Sequence, residues 1–243
     1  MASPFLSIII PAYNEEYRLP QALEQIFAFL RGQSYTAEVL VVENGSTDRT
    51  YEIASEFAKR HPNLYVFREQ KRGKGNAVRR GMLEARGEYR FLCDADLSMP
   101  IEEVNKFLPP ELTGFDIAIG SREAPGAIRY DEPGYRHWGG RGINLLIRLL
   151  ALPGLRDTQC GFKCFRADIA EDIFQYQTFD GISFDPEVLF IARLRGYKIV
   201  ELPIPWYYSD ESRINLFQDT LTLVKDLLVI RRNARRCLYG PKK

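Results

Sequence analysis

The chain has 243 residues, is 45% hydrophobic and 27% charged, and carries 33 Lys and Arg against 32 Asp and Glu, a formal net charge of +1. That length holds one large α/β domain or two small ones with a sizeable core, and the balanced charge excludes the global basic field of a nucleic-acid binder. The four cysteines, Cys93, Cys160, Cys164 and Cys237, lack the paired C-x-x-C spacing of a zinc site and are expected as reduced thiols.

Leu6 to Ile10 is predicted as a strand buried on both faces and ended by Pro11. The polar loop Pro11-Ala12-Tyr13-Asn14-Glu15-Glu16 follows it, at the strand end where open α/β sheets bind ligands. Pro20 to Leu30 places Leu23, Ile26, Phe27 and Leu30 at helical spacing, and Gly32 ends the helix. Glu38 to Val42 is the second strand, again followed by a polar loop, Glu43-Asn44-Gly45-Ser46-Thr47-Asp48. A helix over Thr50 to Arg60, with Ile53, Ala54 and Phe57 on one face, leads to a short strand, Leu64 to Phe67. Strand and helix alternating at this interval predict a parallel sheet with crossover helices. Lys71-Arg72-Gly73-Lys74-Gly75-Asn76 opens the next helix, which runs to Ala85. Its cations ahead of a helix N-terminus suit an anion, although a solvated basic turn has the same composition. The Walker spacing is absent.

Tyr89 to Cys93 is a short buried strand ending in Asp94-Ala95-Asp96. Residues i and i+2 of an extended chain point to one side, so both carboxylates can face a common point. Two hard anionic ligands with room for water suit Mg²⁺ or Mn²⁺, especially beside a diphosphate. The alternative is that they cap the helix after Ser98, which is itself placed to N-cap that helix with Pro100 inside and Glu102 or Glu103 in its first turn. Asp116 to Gly120 is a strand leading into Ser121-Arg122. Glu123 to Gly134, rich in Gly, Pro and charge, is expected as a mobile active-site loop. Arg136 to Leu152 is an amphipathic helix with Ile143, Leu146, Ile147 and Leu150 on its apolar side and Arg136, His137, Arg141 and Arg148 on or beside it.

Arg156 to Phe162 is a polar approach to a short strand around Lys163-Cys164-Phe165. A helix over Phe184 to Arg195 and a strand over Lys198 to Leu202 follow, the latter ending in Pro203-Ile204-Pro205-Trp206. Ile214 to Arg236 is apolar at Leu216, Phe217, Leu221, Val224, Leu227, Leu228 and Ile230, with Arg231, Arg232, Arg235 and Arg236 gathered at its end. Such a helix either lies on an anionic membrane or packs on the core with a basic tail. No apolar run approaches the ~20 residues of a transmembrane helix and no basic leader opens the chain. The expected location is cytoplasmic, at most peripheral on the cytoplasmic face of a membrane.

The order of these motifs resembles glycosyltransferase family 2 and its nucleotide-sugar-binding GT-A fold: Pro11-Ala12-Tyr13-Asn14-Glu15, the 43–48 loop, Asp94-Ala95-Asp96 and a late arginine–loop–helix region. Gly73-Lys74-Gly75-Asn76-Ala77-Val78-Arg79, Asp94-Ala95-Asp96-Leu97-Ser98 and Asp157-Thr158-Gln159-Cys160-Gly161-Phe162-Lys163 are similar to segments of the dolichyl-phosphate glucosyltransferases and polyprenyl-phosphate sugar synthases. The resemblance implies a mostly parallel, Rossmann-like central sheet flanked by helices over residues 1–212, then a C-terminal amphipathic helix and basic tail over 213–243. It implies a metal-dependent inverting transfer of glucose from UDP-glucose to polyprenyl or dolichyl phosphate at a membrane surface, with no nucleic acid involved. Mannose from GDP-mannose, a hydroxyl acceptor in polysaccharide synthesis, and a non-catalytic nucleotide-sugar-binding module are the alternatives.

By the same resemblance Pro11, Ala12, Tyr13, Glu15, Glu43, Asn44, Ser46 and Ala95 line the nucleoside pocket, with Lys74 near it. Asp94 and Asp96 hold Mg²⁺ or Mn²⁺ against the departing diphosphate, which Arg213 also supports. Arg122 and Arg136 match contacts to the acceptor phosphate, and Asp157 and Gln159 belong to the catalytic motif. The family's second loop commonly opens with an aspartate pair, replaced here by Glu43-Asn44. A hydroxyl acceptor needs a carboxylate base, for which Asp157, Asp185 and Glu187 are candidates; a phosphate monoester, with its second pKa near 6, needs only cations to hold it, a role that Arg122, Arg136 and Arg141 fit.

Overall fold

A computed structural model describes residues 3–208 and 216–240, leaving aside the side chains of 135–138 and 216–220. The first half alternates strand and helix as expected: β1 (Leu6–Ala12), α1 (Leu19–Arg31), β2 (Ala37–Glu43), α2 (Thr50–Arg60), β3 (Leu64–Arg68), α3 (Lys74–Glu84) and β4 (Tyr89–Cys93). A 3₁₀ helix (Ile101–Phe107) leads to β5 (Ile117–Ser121), β6 (Ile128–Tyr130), α4 (Gly134–Leu150), β7 (Phe162–Arg166), α5 (Ala167–Phe174) and α6 (Phe184–Leu194). Then come β8 (Ile199–Pro203), β9 (Pro205–Tyr207) and α7 (Leu216–Arg235). Seven strands form the central sheet in the order β3-β2-β1-β4-β7-β5-β8. All neighbours are parallel except β7, which runs antiparallel to both β4 and β5.

Alternate residues of the inner strands feed two cores, one on each face of the sheet. Ile8, Ile10, Val39, Val41 and Phe91 face α1, α2 and the 3₁₀ helix, where Phe91, Phe107 and Phe162 meet edge to face at 4.5 to 5.4 Å. Ile9, Leu40 and Leu92 face α3, and that layer continues through α5 and α6 to Leu223, Leu227 and Ile230 of α7. Burial on both faces is why these strands are continuous apolar runs rather than alternating ones.

Several local expectations change. β1 passes through Pro11 to Ala12, because pairing with β4 ends at Ile9 and Leu92 and the missing N–H sits on an open strand edge. Ser98 caps nothing: the following helix is 3₁₀ and has Pro100 at its N-cap position, with Glu102 and Glu103 in its first turn. The 123–134 segment contains β6, which pairs with β9 and stacks Tyr130 on Tyr207 at 4.5 Å. Arg129 further pins that segment through Glu123 and Glu132. α5 follows β7 without a loop and was not expected. α7 buries Leu223, Leu227 and Ile230 yet exposes Leu221 and Leu228. No helix among the described residues is long and apolar enough to cross a membrane.

Candidate active site

Parallel β1, β2 and β4 end along one edge of the sheet, so the loops after Ala12, Glu43 and Cys93 converge there. The first two are stitched together. Asn14, at φ +53°, donates its N–H to Ser46 Oγ (3.1 Å) and accepts from the Thr47 N–H (2.8 Å) through Oδ1. The Glu15 N–H reaches Thr50 Oγ1 at 2.7 Å, and the Glu16 N–H reaches Asp48 at 3.1 Å. Asn44 holds the basic loop, donating to the Lys71 carbonyl at 2.7 Å and accepting from the Gly73 N–H. Arg72 lies over the Tyr13 ring, 4.5 Å from its centroid.

Because β7 is reversed, its N-terminal end meets the C-terminal end of β4, with Phe162 opposite Cys93. That register delivers Gln159, Cys160 and Gly161 to the aspartates. Gly161 lies so close that an added Cβ would be 1.9 Å from Asp94 Oδ2. On its other side Asp94 meets Lys74 Nζ at 2.7 Å. Burial alone would lower the Lys74 pKa, but Asp94, Asp185 and Asp96 outweigh it and hold the ammonium protonated. Asp96 is exposed and accepts the Ser98 N–H at 3.0 Å through Oδ1, a turn stabilised around Leu97 at φ +45°.

A cleft of about 580 Å³ opens over this edge. Of the expected site residues, Pro11, Ala12, Tyr13, Glu15, Asn44, Lys74, Asp94, Ala95, Asp96, Arg122 and Gln159 line it. Glu43 and Ser46 do not. Glu43 is buried, takes the Ser46 N–H and pairs with Arg68 at 3.3 Å, contacts that shape the second loop. Asp157 is also outside the cleft wall, fully buried beneath Arg122. It accepts from Arg122 Nε at 2.6 Å, from Nη2 at 2.9 Å and from the backbone N–H at 3.1 Å. Arg213 lies outside the described residues, as does the Arg136 side chain, although the Arg136 backbone is in the first turn of α4. The cleft also has walls the sequence reading did not single out: Met99, Ile143, Ile182, Trp206, Tyr208 and Leu223. Only the aromatic run Trp206-Tyr207-Tyr208 after a strand was a signal for them.

The carboxylates sort by environment. Burial would raise the Asp157 pKa, but Arg122 overrides it and lowers the group to about 2, far too weak a base for a hydroxyl. Asp185 is buried against Lys163, and Glu187 is buried while accepting from Thr178, Phe179 and Tyr239; burial raises both. In the cleft itself, Glu15 pairs with Arg18, Asp94 with Lys74 and Glu132 with Arg129. Among the described residues no cluster of three or more His, Cys, Asp or Glu is arranged to hold a metal. The donor set at Asp94 and Asp96 is two hard oxygens, one of them exposed. It fits a divalent ion only when a ligand such as a diphosphate supplies the remaining oxygens.

The sequence profile described as Glycosyl transferase family 2 matches residues 7–174. A dolichyl-phosphate beta-glucosyltransferase of Trichomonas vaginalis is 36% identical over 241 residues, 94% of this chain and 73% of that protein. The human dolichyl-phosphate beta-glucosyltransferase is 33% identical over 93% of this chain and 74% of its own. Among solved structures, glucosyl-3-phosphoglycerate synthase from Mycobacterium tuberculosis in complex with Mn²⁺ and UDP-glucose superposes with a TM-score of 0.64 at 16% identity. It covers 96% of this chain and 79% of that one, a likeness of fold.

Proposed function

Because the chain belongs to glycosyltransferase family 2, we propose that it transfers glucose from UDP-glucose to a polyprenyl or dolichyl phosphate, inverting the anomeric centre. The acceptor class follows the names of relatives that share a third of its residues over nearly the whole chain. The observation that carries the choice is that, among the described residues, the cleft offers no available base. Three of its carboxylates are ion-paired, and the fourth, Asp96, is the exposed oxygen donor beside Asp94. A sugar hydroxyl would arrive without a partner for its proton, whereas a phosphate monoester is already an anion at neutral pH.

In this reading the nucleoside lies across the Pro11–Glu15 loop and Asn44. Lys74 and the Asp94–Asp96 pair face the diphosphate, and Arg213 gives further support there. A divalent ion, Mg²⁺ or Mn²⁺, held by Asp94 and Asp96 supplies Lewis acidity to the leaving diphosphate. Lys74 spans the Asp94 carboxylate and the diphosphate, so its fixed positive charge orients both. Arg122, itself aimed by Asp157, and Arg136 hold the acceptor phosphate at the other end of the cleft. A phosphate oxygen forms the new bond to the sugar C1 as the bond from C1 to the diphosphate oxygen breaks, and UDP departs with that electron pair. An α-linked donor then gives the β-linked product. The apolar wall of Ile143, Trp206 and Leu223 suits the first isoprene units, and the basic end of α7 would suit an anionic membrane surface.

The test is incubation with Mn²⁺ or Mg²⁺, labelled UDP-glucose or GDP-mannose, and a short polyprenyl phosphate. Label in the lipid from UDP-glucose alone is expected. Transfer only from GDP-mannose, or tight nucleotide binding with no lipid-linked sugar from either donor, would overturn the reading.

A further inference from the structure

Beside the cleft, sharing only Asn144 with its lining, is a second cavity of about 250 Å³ lined by Glu123, Arg141, Asn144, Arg148 and Arg156. Its volume is roughly eight times the ~30 Å³ share of one liquid water, room for a phosphate group and its hydration. Arg141, Asn144 and Arg148 fall at i, i+3 and i+7 of α4, one side of the helix. Three guanidiniums face one carboxylate, Glu123, which Arg129 already engages and which Arg141 approaches at 3.6 Å. Arg148 donates Nε to the Leu155 carbonyl at 3.2 Å. Among the described residues neither Arg148 nor Arg156 pairs with a carboxylate. Asn144 is 6% exposed, and its Oδ1 is buried without a hydrogen-bond partner. A half-turn of that carboxamide presents Nδ2 instead, a donor aimed at an anion.

We propose that this cavity is a binding site for the phosphate of an anionic membrane phospholipid, separate from the sugar-transfer cleft. An acceptor phosphate must touch the sugar in the main cleft, whose lining shares only Asn144 with this cavity. The neighbouring surface selects a lipid over a soluble phosphate ester. Leu145 and Leu149, 50% and 71% exposed, flank the arginines on α4. The adjacent α7 exposes Leu221 and Leu228 and reaches the Leu150 carbonyl with Arg231 at 3.1 Å. Apolar side chains beside a basic cavity are the arrangement that seats acyl chains and headgroup together. The inference uses the proposed function only for its membrane setting. Binding is read without donor or acceptor, so failure of the transfer assay leaves it standing.

The experiment is co-sedimentation of the full chain with phosphatidylcholine vesicles, with and without phosphatidylglycerol. Wild type is expected to bind the anionic vesicles and to be displaced by millimolar inorganic phosphate. Arg156→Gln, whose side chain holds no other part of the fold, should weaken binding about five-fold, and Arg148→Gln with Arg156→Gln about twenty-five-fold, at the ~1 kcal/mol expected per surface cation. UDP affinity should be unchanged in both. Equal binding to neutral vesicles, or variants that bind anionic vesicles like wild type, would refute the proposal. So would a raised KM for polyprenyl phosphate in lipid-free detergent, which would assign the cavity to the acceptor.

Discussion

Gly161→Ala is the sharpest test of how Asp94 is placed. The backbone at Gly161 is not in the left-handed region, so alanine is conformationally allowed, and only its Cβ is in conflict. That Cβ would sit 1.9 Å from Asp94 Oδ2 and 2.3 Å from Cγ, where real contacts essentially never fall under 3.0 Å. The carboxylate must therefore shift by about 1 Å, which disturbs its 2.7 Å contact with Lys74 Nζ. Misplacement of about 1 Å in a reacting constellation costs on the order of 10²-fold in rate, or about 2.7 kcal/mol of transition-state stabilisation. Glucosyl transfer should fall by that factor, and Mn²⁺ should bind the UDP complex more weakly by calorimetry. The comparison is Gly142→Ala on α4, where an added Cβ meets nothing within 4 Å and activity should be retained. Turnover within two-fold of wild type, with unchanged Mn²⁺ affinity, would show that Gly161 does not set the aspartate.

Asp96→Ala should abolish turnover while thermal unfolding moves little, because the side chain is exposed; retained activity would remove it from the diphosphate site. Asp157→Asn leaves Arg122 without its counter-charge and should cost about 3–5 kcal/mol at neutral pH, measured by urea unfolding. Its folded pKa, lowered to about 2, lies below the unfolded value near 3.9, so wild type gains about 2–3 kcal/mol from this group above about pH 5. That gain disappears as pH falls toward 2, and the Asn variant should show a shallower acid limb over the same interval. Arg136→Ala should raise the KM for polyprenyl phosphate more than that for UDP-glucose; equal effects on both would move Arg136 out of the acceptor site.

The inner strands were legible because a strand buried on both faces writes itself as an unbroken apolar run, and Tyr89–Cys93 was read to the residue. The loops after them were legible as polar segments, but their internal wiring was not. Glu43 is expected in the nucleoside pocket only through the family resemblance. Nothing in the spacing records that its carboxylate turns back to the Ser46 N–H three residues along the chain. The reversal of β7 was likewise hidden, since strand direction depends on partners about seventy residues apart such as Cys93 and Phe162. It is nevertheless that reversal which brings Gly161 to Asp94. α5 escaped notice because it begins at the residue after β7, so the two periodicities run together without punctuation.

The residue that closes the last turn after α7 is wired to the loop that carries Lys74. Tyr239, fully buried just beyond α7, donates its hydroxyl to Glu187 at 2.8 Å. Glu187 in turn accepts the Thr178 and Phe179 N–H groups at 2.9 Å each, fixing the loop on which the Lys74 loop rests. There is no slack in that contact: a Cβ on Gly73 would lie 2.2 Å from the Asp180 carbonyl, and one on Gly75 2.6 Å from that of Phe179. Gln177 ties the Gly75 carbonyl at 2.8 Å, and Lys71 meets Asp180 at 2.6 Å. Tyr239→Phe removes one hydrogen bond to a buried carboxylate, a loss of about 1.5–3 kcal/mol. Its effect should reach Lys74 as a raised KM for UDP-glucose with the polyprenyl phosphate KM unchanged. If stability falls and the donor KM does not move, the 178–180 loop holds Lys74 without help from Tyr239.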